Sequence, residues 1–198
     1  MELRTLLGIF LGGVLYPIWL LAGAGDYLSH RATHVETTSG PREAMFHIAQ
    51  FVSIAVIFVA AVLLEITLAV LIAMVLALLV HTALSLADVA YTLGRRHISS
   101  IEQHVHGFMD VIPFIAVCIL AMMHWETLTV GPAVRLKDQP LSQMQITLLL
   151  GSFAVLAGTP IVEEWLRTRR ARIHANAAPR ARDETSWAMT ASKGRAHR

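Results

Sequence analysis

Six side chains able to ligate a metal or carry a proton fall within the 22 residues from Asp26 to His47: Asp26, His30, His34, Glu36, Glu43 and His47. Asp26 and His30 are four apart, as are Glu43 and His47. On a helix, each such pair offers a carboxylate and an imidazole to one point, a turn apart. Two later segments repeat the combination: His81 and Asp88 are seven apart, one face over two turns, and Glu102 and His106 are four apart. Four segments, each with one carboxylate and one histidine, make up the donor set of a polynuclear metal site inside a helix bundle. Cys118, the only cysteine, lies in an apolar run, so there is no disulfide framework and no thiolate cage. The expected ligands are therefore Asp26, His30, Glu43, His47, His81, Asp88, Glu102 and His106. Eight donors exceed the needs of one ion and suit two or three with bridging carboxylates. Imidazole and carboxylate suit iron first, with zinc, manganese or copper also compatible. Glu36, His34, His104 and Asp110 stand in reserve. Asp110 continues the Glu102/His106 face and either orients His106 through its second nitrogen or is an acid paired to some other neighbour.

The elements that must position these residues are membrane helices. The chain of 198 residues is 55% hydrophobic and only 15% charged, against about a quarter charged in ordinary soluble domains. Residues 5–25 are long enough to cross a bilayer, which takes about 20 apolar residues, and Pro17 predicts a kink there. A cleaved signal peptide ending near Ala22-Gly23-Ala24 is the competing reading. Thr37 to Pro41 is a turn signal, with Gly40 as N-cap and Pro41 at the first helical position. The 49 residues from Ala44 to Thr92 are almost unbroken apolar, too long for one crossing. Glu65 sets the hairpin, giving helices over 42–64 and 67–93. Gly94-Arg95-Arg96 ends the third helix, and Ser99 opens a fourth that runs to about Met123. A polar loop over 124–142 leads to a fifth helix over 143–166, whose exit is marked by Glu163, Glu164 and Arg167. The fold class is all-α, a bundle of five transmembrane helices spanning residues 1–167. Residues 168–198 form a basic tail, predicted disordered from its lack of apolar period.

Five crossings put the 26–43 connection, the 94–102 connection and the tail on one side. Of the 16 Lys and Arg, 13 fall there: Arg31, Arg42, Arg95, Arg96, Arg167 and eight in the tail. Positive segments stay cytoplasmic, so the expected placement is the bacterial inner membrane with the N-terminus outside and the C-terminus in the cytoplasm. All four carboxylate–histidine pairs then reach the same cytoplasmic face, with His81 about 10 Å deeper at 1.5 Å per residue. Each pair also has a plain structural explanation. Ser99-x-x-Glu102 reads as a capping box, and Glu43 lies in a helix's first turn, where acids favour the dipole. His81 resists that explanation, because an ionisable group deep in an apolar run is costly and marks function by default. Arg31, Arg95 and Arg96 read as interfacial anchors, or as a site for an anionic headgroup.

The run Asp-x-x-x-His-Arg, then Glu-Thr-Thr-Ser-Gly-x-x-Glu-x-x-x-His, then Glu-Gln-His-Val-His resembles a group of small bacterial inner-membrane proteins without an assigned function, over about 26–110. That resemblance implies no activity. At class level the chain is similar to membrane di-iron oxygenases and desaturases. It departs from their histidine boxes, having no His-x-x-His-His and more carboxylate. That mix is closer to soluble di-iron carboxylate bundles, whose Glu-x-x-His spacing is also absent. The leading expectation is a di-iron-type oxidoreductase acting on a lipid-soluble substrate that arrives sideways from the bilayer. It would take electrons from an external donor, since no flavin, haem or nucleotide motif is present and nothing points to nucleic acid. The alternatives are a zinc-dependent membrane hydrolase with Glu102 as base, and non-enzymatic metal transport or sensing. A transporter needs polar groups at the far side as well, where only Glu65, His124 and Glu126 are available.

Overall fold

The computed structural model describes residues 2–126, 128, 133–138 and 140–193, with side chains described through residue 177. Among the described residues, five helices are long and apolar enough to cross a membrane: α1 Leu3–Ala32, α2 Pro41–Leu63, α3 Leu68–Thr92, α4 Ser100–Met123 and α5 Gln143–Ala177. They close into a ring in the order α1, α4, α3, α2, α5, each packed on its two neighbours. The outward side of the ring is apolar, with Leu21, Leu76, Phe114 and Val155 all exposed. In water such a surface would drive aggregation; in a bilayer it faces hydrocarbon, which identifies a multi-pass membrane protein.

The interior divides into two ends. At one, Ile57, Ile66, Val70, Met74, Val117 and Ile119 form an apolar core. At the other, nearest the α1–α2 and α3–α4 turns, the buried side chains are polar: Asp26, His30, Glu43, His81, Ser85, Asp88, Glu102 and Glu164. Three features differ from the expected boundaries. First, α1 does not stop at 25 but runs to Ala32, so Asp26 and His30 are on the helix itself rather than in a connection. The backbone widens into a π turn over Leu11–Leu15, just before Tyr16 and Pro17. Such a turn absorbs the hydrogen bond that Pro17 cannot donate, and the helix continues. Second, α5 runs past its expected exit at 166, and the backbone is helical through Lys193 where composition predicted disorder. Ala and Arg are strong helix formers, so a segment rich in them holds a helix without an apolar stripe.

The third difference is at the α3–α4 turn. Gly94 takes a positive φ of 80°, a conformation that costs other residues strain. Reversal of the chain there points Arg96 back into the bundle rather than out to an interface. The α1–α2 turn behaves as expected: Gly40 is the N-cap of α2 with Pro41 in its first turn. At the far end, residues 133–138 lie against the α2–α3 hairpin through a Leu64–Leu136 bridge. Lys137 Nζ donates to the carbonyl of Ala61 at 2.6 Å, and Glu65 accepts the Asp138 N–H at 3.0 Å. Glu65 lies in the α2–α3 hairpin, where the sequence places it, and there it also holds the loop.

An odd number of crossings fixes which segments share a face. In a Cys118→Ser background, His34→Cys and Lys137→Cys should be labelled by an impermeant thiol reagent from opposite sides of an intact membrane. Labelling of both from the same side would contradict a five-crossing ring.

Candidate metal centre

The polar end of the bundle is organised by Glu164. Its two carboxylate oxygens accept from two histidines on different helices: His30 Nδ1–H on α1 at 2.9 Å and His47 Nδ1–H on α2 at 2.7 Å. An ionised carboxylate can only accept, so both imidazoles carry their proton on Nδ1 toward Glu164. The rings lie nearly parallel, 4.6 Å apart between centroids and 10° from coplanar. Each Nε2 is thereby aimed away from Glu164. His30 Nε2 faces Glu102 at 3.4 Å, Asp26 at 3.6 Å and Glu43 at 4.0 Å. His47 Nε2 is within hydrogen-bond distance of Asp88 at 3.0 Å, which requires a proton on Nε2 as well unless a cation stands between them, and Gln50 donates to the same Asp88 oxygen at 3.5 Å. A histidine whose Nδ1–H is held by a carboxylate, leaving Nε2 toward other donors, is the usual preparation of a metal ligand.

Three buried groups have ligand atoms within 4.8 Å of one another: Asp26, His30 and Glu102; Glu43, His47 and Asp88; and His30, His47 and Glu164. The first two share no residue and together take one carboxylate or histidine pair from each of α1 and α2, plus one acid each from α4 and α3. Two donors bound to one ion at ~2.1 Å stand roughly 3.0–3.4 Å apart at octahedral to tetrahedral angles. The separations of 3.0, 3.4 and 3.6 Å around the two Nε2 atoms fall at or just beyond that span. One oxygen each of Asp26 and Asp88 is buried with no hydrogen-bond partner. Buried carboxylate oxygens without partners are costly unless a cation or a proton meets them. The donors therefore fit a nitrogen- and oxygen-coordinated cation, and these clusters could hold metal ions.

A different arrangement surrounds the remaining expected ligands. His81 and Asp88 share a helix face but do not pair. His81 Nε2 donates to Asp110 on α4 at 3.1 Å, while Asp88 turns to His47. His106 Nε2 lies 3.1 Å from Ser85 Oγ, and Ser85 donates to Asp110 at 3.0 Å. His106 Nδ1 is 3.6 Å from Asp26. Asp110 thus orients His81 directly and reaches His106 only through Ser85, rather than binding His106 itself. Glu102 and His106 both approach Asp26 of α1, and His106 also reaches Ser85 of α3, because α4 packs between those two helices. Of the reserves, His34 and His104 are exposed. Glu36 pairs with Arg167 and His34, not with the cluster.

Arg96 corrects the sequence reading most sharply. It is not an interfacial anchor. Its side chain is 3% exposed and bridges Glu43 and Glu102. It donates to Glu43 from Nη2 at 2.6 Å and from Nε at 3.1 Å, to Glu102 Oε2 at 2.9 Å, and by a further bond to Glu102 Oε1. Burial alone lowers the guanidinium pKa, but the hydrogen bonds and attraction of Glu102 and Glu43 outweigh it. The pKa is raised above an already high ordinary value, and Arg96 stays charged. The capping box at Ser99 is consequently half made. Ser99 Oγ accepts the Glu102 N–H at 3.1 Å, while the Glu102 side chain serves Arg96 instead of the N-cap. No protein-family model, curated protein or solved structure matches this chain.

Glu164 lies within α5 rather than at its exit, and the sequence reading does not include it among the site residues. The signal was in the spacing: Phe153, Ala157, Ile161, Glu164 and Thr168 recur at helical intervals and lie on the inward side, with Phe153, Glu164 and Thr168 buried. Glu163, one position earlier, points outward and pairs with Arg31 and Tyr27. Arg96 gave no periodic signal because it sits in a turn.

The fork of Arg96 between two buried acids has a direct consequence. Arg96→Met leaves Glu43 and Glu102 uncompensated, and removing one partner of a buried ion pair costs about 3–5 kcal/mol. Arg96→Lys keeps the charge but loses the fork and should cost less. Thermal unfolding in detergent measures both. Equal, small effects would mean that these ion pairs do not form.

Proposed function

We propose that the protein is a membrane oxidoreductase of the di-iron type, with two or more transition-metal ions held at the polar end of the bundle. Charge balance carries this reading. Five carboxylates are buried there (Asp26, Glu43, Asp88, Glu102 and Glu164), and among the described residues Arg96 is the one buried guanidinium beside them. With the histidines neutral, four negative charges remain, in a medium where an unbalanced ion is prohibitively costly; protonation of His30, His47, His81 and His106 is the competing source of compensation. Two divalent cations with neutral histidine ligands cancel that excess. Asp26, His30 and Glu102 would hold one ion and Glu43, His47 and Asp88 the other, with Glu164 orienting both imidazoles. When bound, iron would supply activation of O₂ and one-electron chemistry at an open position. The chain itself would contribute three things: fixed Nε2 lone pairs, exclusion of bulk water by the apolar ring, and a nearby Ser85–Asp110–His81 network able to hold a proton.

The lipid-soluble substrate and the external electron donor follow from the setting. A centre inside an apolar ring is reached most readily from the bilayer, and an external donor is proposed because this sequence carries no flavin or haem motif. The basic bias of the turns and of α5's end supports a bacterial inner membrane with the centre toward the cytoplasm. Zinc in the same ligands would instead suit hydrolysis, although Arg96 holds Glu102 and so weakens its case as a free base. For transport, Glu65 is engaged by the far-side loop, which gives that reading no support.

Elemental analysis of intact protein purified anaerobically without chelator should find two or more ions per chain, predominantly iron. Glu164→Gln should lower metal affinity by about 10–100-fold, while Glu163→Gln, on the outer side of the same helix, should leave it intact. Less than one ion per chain in the wild type would return the cluster to a structural network of imidazolium–carboxylate pairs.

A further inference from the structure

Arg31, Arg42, Arg95 and Arg96 lie in or beside the two turns at the polar end of the bundle. Their charges are met in different ways. Arg96 is buried between Glu43 and Glu102, and Arg31 pairs with Glu163 at 3.2 Å. Arg42 and Arg95 are exposed, and among the described residues neither has an ion pair. Glu43, next to Arg42 in sequence, turns inward to Arg96. What the two unpaired guanidiniums share is the ring of Tyr91. Their central carbons stand 4.8 Å (Arg42) and 4.1 Å (Arg95) from its centroid.

That ring is fixed in place. Tyr91 Oη donates to the carbonyl of Ser39 in the α1–α2 turn at 3.0 Å, and Phe46 of α2 packs against it at 5.9 Å between centroids. Arg95 is held a second time, by a hydrogen bond from Nη1 to the Tyr91 carbonyl. An aromatic face attracts cations but supplies no net negative charge. Two positive charges from two different turns are thus gathered at one spot, which is unfavourable unless an anion joins them. Their position indicates which anion. Arg42 is in the first turn of α2 and Tyr91 in the last turn of α3, where a crossing helix meets the headgroup layer. Guanidinium forks match phosphate oxygens. Beyond Arg42, Met45, Val52 and Val56 follow on the same side of α2 and are all exposed. That track runs about 21 Å along the axis, longer than the ~15 Å that one leaflet's chains occupy. A free phosphate would make no use of it, whereas an acyl chain would. A zwitterionic head would bring its own cation toward the guanidiniums; an anionic head would not.

We propose that Arg42 and Arg95 form a binding site for one anionic phospholipid, whose phosphate is held by the two guanidiniums beside Tyr91 while an acyl chain runs down the Met45–Val56 side of α2. The site is independent of the metal and oxidoreductase readings. Full-length protein in a neutral detergent is titrated with phosphatidylglycerol or phosphatidylcholine of matched chains, and bound lipid is counted by native mass spectrometry. Wild type should take up one phosphatidylglycerol per chain, more tightly than phosphatidylcholine by about tenfold or more. Arg42→Gln and Arg95→Gln should each weaken phosphatidylglycerol about fivefold, and the double variant should lose the preference. Arg31→Gln, whose charge Glu163 already meets, should leave it unchanged. Glycerol phosphate, the same head without chains, should not displace the lipid even in large excess. Should the double variant not fold, phosphatidylglycerol with a photoactivatable diazirine in its head is crosslinked to the wild type. Adducts should then fall on segments 42–46 and 91–95. Equal affinity for the two lipids, a preference that survives the double substitution, an equal loss in Arg31→Gln, or adducts confined to other segments overturns the site. Displacement by glycerol phosphate overturns a lipid as its occupant.

Discussion

Five carboxylates and one guanidinium are enclosed at one end of a ring of apolar helices, and the rest of the structure answers to that imbalance. Hydrocarbon outside the ring offers no counter-charge, and water cannot reach the centre freely. Compensation must come from within, through hydrogen bonds, protonated histidines or bound cations. The chain spends much of its polar inventory on this end: Arg96 between Glu43 and Glu102, two histidines on Glu164, and Gln50 on Asp88. Two carboxylate oxygens still lack a hydrogen-bond partner. Asp26 Oδ1 has His106 Nδ1 at 3.6 Å, so Asp88 Oδ1 is the oxygen whose charge a cation or a proton has most left to meet.

The ring order explains how such a cluster can be assembled. Because α1 packs between α4 and α5, and α2 between α3 and α5, the helices nearest one another in sequence are not always nearest in space. The Asp26/His30 turn meets Glu102 of α4, and the Glu43/His47 turn meets Asp88 of α3. Glu164 of α5 closes the gap between the two turns by holding one imidazole from each. The two halves therefore share one orienting carboxylate, and a displacement of α5 would disturb both at once. The aromatic column on Phe153 and the hydrogen bond from Tyr16 to Ser152 at 2.8 Å set the position of α5 against α1 and α2.

Much of this was legible in the sequence. Apolar length located five helices, Glu65 located a hairpin, and i,i+4 spacing identified the histidines and acids that share the polar end. What spacing could not supply was partnership. His81 and Asp88 satisfy a helical face rule, yet each finds its partner on another helix, because proximity within a bundle is decided by packing between helices. Glu164 was hidden by an adjacent Glu163 of the same type, although its inward period with Phe153, Ala157 and Ile161 was present. Arg96 was hidden because turns carry no period; the positive φ of Gly94 that aims it inward is a property of the folded backbone. Alanine- and arginine-rich composition at the end of α5 suggested disorder by polarity, where helix propensity favoured a continuous helix.

The central claim is that the Nε2 atoms of His30 and His47 serve as metal ligands beside carboxylate oxygens. X-ray absorption at the metal edge, on intact protein containing its native metal, tests this most directly. The account predicts a first shell of nitrogen and oxygen only, with outer scattering from about one imidazole per ion that weakens in His30→Ala and His47→Ala. A sulfur donor, or a spectrum without imidazole scattering, would contradict it.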